Sequence, residues 1–403
     1  MQFGMVIGIG ALLLMGCQSL NTTGREPAQE KSIQISPLFN TPGFDKAATT
    51  TVEDRIVEAI NQAVPGSSIH VSMYIISDHN SAEALVLAAE RGVDVQLVLD
   101  GRNQKLEKGD AIDIMLNGFE GHSGIEKCSE EPCIKFCHGP LQFLKIGKGT
   151  IGGGCHGLII NHNKFALFSE LSTGARNVVM QSSANLEDAH LHRYNDLLEV
   201  QNDKILYEGY LNYWKGLKRD HTRLTSPGDF KGDSGIIVRT SPRLIGSDPV
   251  AELLKHVTCN LPNSSVRAAQ SDLGRVGVAR QLARLKAAGC TINVLALNNP
   301  ELKQPGKKVR DALKDSLVLT PNEWAEAGRN SIHTKMILID AAIDGAAERT
   351  QIVLTGSQNL DLYSLKTNDE CQMEIRDPAI YSQYLAFWDK ILLDAKAAGL
   401  IAF

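Results

Sequence analysis

The spacing of apolar positions changes period several times along the chain, and each change predicts an element. In TVEDRIVEAINQAV, Val52, Ile56, Ile60 and Val64 recur four residues apart, which predicts an amphipathic helix. PGSSIHVSMYII opens on a turn signal and runs on as an apolar segment, which predicts a strand. SAEALVLAAERG predicts a second helix ending on Gly92, and VDVQLVLDG a second strand.

The same order returns as PVAELLKHVTCNL, PNSSVRAAQSDL, VARQLARLKAAG and CTINVLALNN. Pro262-Asn263-Ser264-Ser265 answers Pro65-Gly66-Ser67-Ser68, and Gly289 answers Gly92, both at an offset of 197. This internal duplication predicts an α/β fold of two tandem modules with alternating helices and strands. The expected boundaries are residues 46–225 and 226–403, behind a polar, Pro- and Gly-containing tether at 18–45 that becomes ordered near SPLFNTP. A length of 403 residues fits two domains of ordinary size.

Two apolar stretches carry polar groups at alternate positions. NHNKFALFSE places His162 and Lys164 two apart, hence on one face of a strand, and SIHTKMILID repeats this with His333 and Lys335. A strand and a small polar turn follow each: QSSANL supplies Ser183 and Asn185, GSQNL supplies Ser357 and Asn359. Further on, YNDLLEV and TNDECQMEI set Asn195 against Asn368. A core histidine with a stray lysine accounts for one such stretch, but not for two that each bring a serine and two asparagines at nearly matched spacing.

Here the offset from His162 to His333 is 171, so the first module holds about 26 extra residues, within about 104–158. Cys128, Cys133, Cys137 and Cys155 lie in that surplus and are expected to form disulfides in one of three pairings. A structural zinc, with His138 and His156 beside two of the cysteines, is the rival reading, although the spacing matches no standard zinc motif. GKGTIGGG lacks the spacing of a nucleotide-binding loop and is read as an active-site loop. His190 and His192 are read as surface histidines, and Lys127, Lys135, Lys145 and Lys148 as a solvated loop or a path for an anionic substrate.

Composition narrows the partners. A formal charge of −5 gives no global field for nucleic acid or an anionic membrane, so phosphate binding rests on local lysines and arginines. The opening MQFGMVIGIGALLLMGC reads as an export signal rather than a membrane span. Leu14-Met15-Gly16-Cys17 resembles the lipobox of bacterial lipoproteins, which implies acylation of Cys17 and, with Gln18 following, the outer membrane; plain secretion is the alternative.

The doubled His-x-Lys strand with its Ser-x-Asn turn resembles the phospholipase D superfamily across nearly the whole mature chain. The second copy, His333-Thr334-Lys335 with Asp340 and Gly356-Ser357-Gln358-Asn359, matches fully. In the first, Ser169 stands for the aspartate and Ser182 for the glycine. Ser169 falls on the strand face opposite the His-Lys pair, so its role is read as structural.

The resemblance implies two phospholipase D-like α/β sandwich modules related by a pseudo-twofold axis, with His162 as nucleophile and His333 as general acid and base. It implies that Lys164, Lys335, Asn185 and Asn359 cradle the phosphate, supported by Ser183 and Ser357, with Asn195, Asn368 and Asp196 also assigned to the substrate. In the family a glutamate two residues after the late asparagine orients the nucleophile; here that is Glu370, whereas the first copy has Leu197, with Asp196 one residue early. No cofactor or metal is expected. The expected reaction is hydrolysis or transfer of phosphatidyl groups. A nuclease of the same superfamily is disfavoured by the acidic charge and 5% aromatic content. A binding protein with a decayed first site is the non-enzymatic alternative.

Overall fold

The structure is a computed structural model that describes residues 1, 31–42, 51–104, 109–121, 128–130, 132–140, 145–146, 149–150, 153–187, 193–298, 303, 305–321 and 331–400. Cys17, Lys127, Lys148, His190 and His192 lie outside the described residues. Residues 33–403 form one compact unit.

Its first half contributes β1 (Gln34–Asn40), α1 (Thr51–Gln62), β2 (Ser68–Met73), α2 (His79–Glu90), β3 (Asp94–Leu99), α3 (Ala111–Gly121) and β4 (Ile134–Phe136). A short ribbon, β5 (Lys145–Ile146) and β6 (Gly149–Thr150), precedes β7 (Lys164–Glu170), β8 (Arg176–Ser182), β9 (Arg193–Gln201) and α4 (Lys204–Lys218). The second half continues with β10 (Phe230–Lys231), β11 (Ile237–Ser241), α5 (Pro249–His256), β12 (Val257–Thr258), β13 (Ser265–Gln270), α6 (Val276–Ala287) and β14 (Thr291–Leu297). It ends with α7 (Lys307–Leu313), β15 (Leu317–Thr320), β16 (Ser331–Ile332), β17 (Lys335–Ile343), β18 (Thr350–Gly356), α8 (Leu362–Lys366), β19 (Glu370–Ile375) and α9 (Pro378–Ala397).

The duplication is legible in the strand order. One sheet runs β1-β9-β8-β7-β2-β3-β4; the other, after edge strand β10, runs β11-β19-β18-β17-β13-β14-β15, so each strand has a partner in the other half. Residues 34–40 of the expected tether are an edge strand, paired antiparallel with β9 from Gln34–Gln201 to Asn40–Asn195. The expected insertion at 104–158 contains α3 and β4, matched in the second half by α7 and β15, so the first half's surplus is divided, part between β3 and β4 and part after β4.

Three apolar clusters hold these layers. One lies under α1 to α3 and one under α5 to α7. The third takes side chains from both sheets, including Phe165 and Leu198 of one and Leu338 and Met373 of the other. Helices α4 and α9 feed it at the same spacing, Tyr210, Trp214 and Leu217 against Tyr384, Trp388 and Ile391. Among the described residues the cysteines pair as Cys128–Cys133, Cys137–Cys155 and Cys259–Cys290, leaving Cys371 buried and reduced. Among the described residues Cys137, Cys155 and Asp220 bring possible ligand atoms within 4.8 Å of one another, but sulfurs joined to one another are not thiolate ligands. His156 Nδ1 donates to the His221 carbonyl instead, and His138 faces Asp220.

Candidate active site

Each histidine is hung on the late strand of the opposite half. β16 leaves its own sheet to pair in parallel with β9, Ile332 opposite Tyr194, and the His333 amide then donates to the Tyr194 carbonyl at 3.1 Å. In the mirrored place Asn161 bridges to Asp369, and the His162 amide donates to the Asp369 carbonyl at 3.0 Å. The exchange sets both histidines where the two sheets meet, near enough for the charge of Lys335 to act on His162.

The side chains repeat the exchange. His162 Nδ1 lies 2.9 Å from Glu370 Oε1, and Glu370 in turn accepts from Ser357 Oγ at 2.6 Å. His333 Nδ1 lies 2.9 Å from Asn195 Oδ1, which accepts from Ser183 Oγ at 3.2 Å. The serine amides bind alike, Ser357 to the Cys371 carbonyl and Ser183 to the Asp196 carbonyl. Glu370 therefore corresponds to Asn195, and Cys371 to Asp196.

That register pairs the expected site residues differently from the sequence reading. Asn195 answers Glu370, not Asn368, and it holds a histidine rather than substrate. Asn368 lies two residues upstream of Glu370, its amide donating to Tyr363 and its side chain beside Thr367. Ser183 and Ser357 brace the acceptors behind the histidines. Asp196 points into the packing between the halves, where its carboxylate accepts from Thr334 at 2.6 Å, from Tyr384 at 3.0 Å and from Thr355.

Burial and neighbouring cations set the charge states. Burial, reinforced by the charges of Lys164 and Lys335, holds His162 well below its ordinary pKa, so the ring is neutral. With Nδ1–H donated to Glu370, the Nε2 lone pair is free to attack. Burial raises the Glu370 carboxyl to about 7 against the pull of Lys164. Lys164 donates to the His162 carbonyl at 2.9 Å and Lys335 to the His333 carbonyl. Burial pushes Lys164 well below its usual range and Lys335 to about 7. An anion between two such ammonium groups restores their charge.

Asn185 and Asn359 occupy the turns after β8 and β18, both buried. Asn185 Nδ2 donates to Glu187 Oε1 at 3.1 Å, and the Asn359 side-chain oxygen has no hydrogen-bond partner among the described residues. Ser169 accepts from the Ser68 amide at 2.8 Å, and Asp340 pairs with Arg349 at 3.0 Å, at the ends of β7 and β17 away from the histidines. Gly356, at φ +134, explains the glycine of the second copy: a Cβ there would stand 2.4 Å from the Cys371 carbonyl oxygen. Ser182 replaces it by donating to the Asp196 carbonyl at 3.1 Å.

Sequence reasoning missed Tyr74 and Arg102. The Tyr74 ring meets His162 edge to face at 4.9 Å, with Lys164 Nζ 5.1 Å and the Arg102 guanidinium 4.1 Å from its centre. They follow the ends of the parallel pair β2 and β3, the place where α/β sheets bind ligands. Also missed was Asp369, whose carboxylate accepts from the amides of Cys155, His156 and Gly157 at 2.6, 3.1 and 2.7 Å. The disulfide-pinned loop is thereby tied to the residue before Glu370.

Residues 56–217 and 260–392 match the family described as cardiolipin synthase, PLD-like domain. These segments make up more than half of the chain, which belongs to this family within the phospholipase D superfamily of phosphodiesterases and phosphotransferases. The structure of phosphatidylserine synthase from Haemophilus influenzae is similar at TM-score 0.59, with 15% identity over 89% of this chain and 86% of that one. Polyphosphate kinase from Porphyromonas gingivalis is similar at TM-score 0.54, with 13% identity over 88% of this chain and 46% of that one. At these identities both likenesses bear on fold alone. No curated protein sequence matches the chain.

Proposed function

We propose that the protein hydrolyses or transfers phosphatidyl groups through a phosphohistidine on His162. The observation that carries this is the asymmetry behind the histidines: a carboxylate, Glu370, at His162 and a neutral amide, Asn195, at His333. As Nε2 of His162 bonds to phosphorus the ring becomes cationic, and only a carboxylate at Nδ1 compensates that charge. The bond from phosphorus to the leaving oxygen breaks, and His333 gives that oxygen its proton. Water or an alcohol, deprotonated by His333, then attacks phosphorus, and the bond to His162 breaks. Lys164, Lys335, Asn185 and Asn359 balance the charge on the equatorial oxygens.

A phospholipid is favoured over nucleic acid by a patch of exposed apolar side chains. Leu244 and Ile245 lie in a segment joined to Leu224 and to α8, whose Leu362 and Tyr363 are also exposed. Helix α8 begins three residues after Asn359, so a membrane covering the patch would sit beside the site. Export, with an acyl anchor on Cys17, belongs to the same proposal. Among the described residues no helix is long and apolar enough to cross a membrane.

The test is mass spectrometry of products from mixed bacterial phospholipids with ethanol. Phosphatidic acid and phosphatidylethanol are expected from the wild type and neither from His162→Ala. Lipid left intact while an oligonucleotide is cleaved would move the assignment to a nuclease.

A further inference from the structure

The first half holds an open groove of about 420 Å³ between α1 and α2, lined by Glu53, Asp54, Asp78, Glu83 and Glu187. Among the described residues no lysine, arginine or histidine lines it. The N-termini of α1 and α2 contribute roughly half a positive charge each, well short of the carboxylates they face. Glu53 is 5% exposed; its Oε2 accepts from Asn40 at 2.9 Å, and its Oε1 has no hydrogen-bond partner among the described residues. A buried carboxylate oxygen left unpaired is costly, so the position calls for a donor.

The second half names that donor. The Ser77 and Asp78 amides donate to the Leu186 carbonyl, and the Gly274 and Arg275 amides donate to the Leu360 carbonyl in the same way. Asp78 thus corresponds to Arg275, and Glu187 to Asp361. Arg275 is 1% exposed, with Nε on the Asp361 carbonyl at 2.9 Å, Nη2 on the Asn359 carbonyl at 2.6 Å and Nη1 on Asp248 at 3.3 Å. The first half has an aspartate where this cation starts.

We propose that the groove between α1 and α2 binds an organic cation, an ammonium or guanidinium group, in the place that Arg275 fills in the second half. A single metal ion fits poorly: among the described residues no three of these carboxylates bring oxygens within 4.8 Å of one another. Val57, Ala84 and Leu87 add apolar wall for the carbon part of such a ligand. The groove also reaches the phosphate cradle, because its Glu187 accepts from Asn185. The cation's source is either the substrate's own head group or a free amine.

Binding is measured without turnover, so the proposal stands or falls apart from the phosphodiesterase reading. The full chain is titrated calorimetrically with methylguanidine and ethanolamine, with ethylene glycol as the uncharged control and magnesium chloride as the inorganic one. The two organic cations are expected to bind and the controls not to. Loss of a charged hydrogen bond in Glu53→Gln weakens binding by about tenfold or more. Because Glu53 is buried, Glu83→Lys on the exposed rim is the second variant, expected to weaken binding without lowering the melting temperature. Equal binding of ethylene glycol, tighter binding of magnesium, or unchanged affinity in Glu83→Lys would overturn the proposal. A lower ratio of phosphatidylethanolamine to phosphatidylglycerol turnover in Glu83→Lys identifies a head group; altered phosphatidylglycerol turnover on adding ethanolamine identifies a free amine.

Discussion

Among single residues, Glu370 and the charges around it set the behaviour of His162. Glu370→Gln keeps the shape but leaves the phosphorylated ring uncompensated, and kcat is expected to fall by roughly 10²- to 10⁴-fold, as for other orienting carboxylates. The pH profile follows from two displaced groups. Glu370 is raised from 4.5 to about 7, so as pH falls through that value it takes up a proton and ceases to accept from His162. Lys335 is lowered from 10.5 to about 7, so as pH rises it loses the charge that binds phosphate. The expected kcat/KM is a bell centred near neutrality, its limbs belonging to the coupled site rather than to either residue. Glu370→Gln should remove the acid limb; its persistence would assign that limb elsewhere.

At the scale of elements, the turns after β8 and β18 do one job with different chemistry. Gly356→Ala forces a strained φ and a backbone clash, at a cost of about 1–3 kcal/mol, to be read by denaturant unfolding. Ser182→Gly removes only hydrogen bonds and should cost about 1 kcal/mol. The loop pinned by Cys137–Cys155 holds Asp369 next to Glu370, so Cys155→Ala should cost about 2–4 kcal/mol of stability and lower kcat besides. The elements were legible in the chain because the apolar periods repeat at a fixed offset. The residue-to-residue match at the site was not. The similar NDL and NDE stretches invite pairing Asn195 with Asn368, and the true partner, Glu370, is two residues on. A shift of two preserves the face of a strand, so parity gives no warning. The spacing from serine to acceptor, 12 residues in one half and 13 in the other, hid the register. Tyr74 and Arg102 belong to no repeated phrase; only the closed sheet brings them to His162.

At the scale of the whole molecule, neither half owns a complete site. The nucleophile comes from one half and its carboxylate from the other, through strands that cross between sheets over a shared apolar core. The halves should therefore melt together in one calorimetric transition, and two resolved transitions would speak against the shared core. The most direct test uses a p-nitrophenyl phosphodiester, whose leaving group departs without a proton from His333. In His333→Ala the first step then proceeds and the second stalls. Intact-protein mass spectrometry followed by peptide mapping is predicted to find the phosphoryl adduct on His162 in His333→Ala, and no adduct in His162→Ala. An adduct on His333 in His162→Ala, with none on His162 in His333→Ala, would contradict the account.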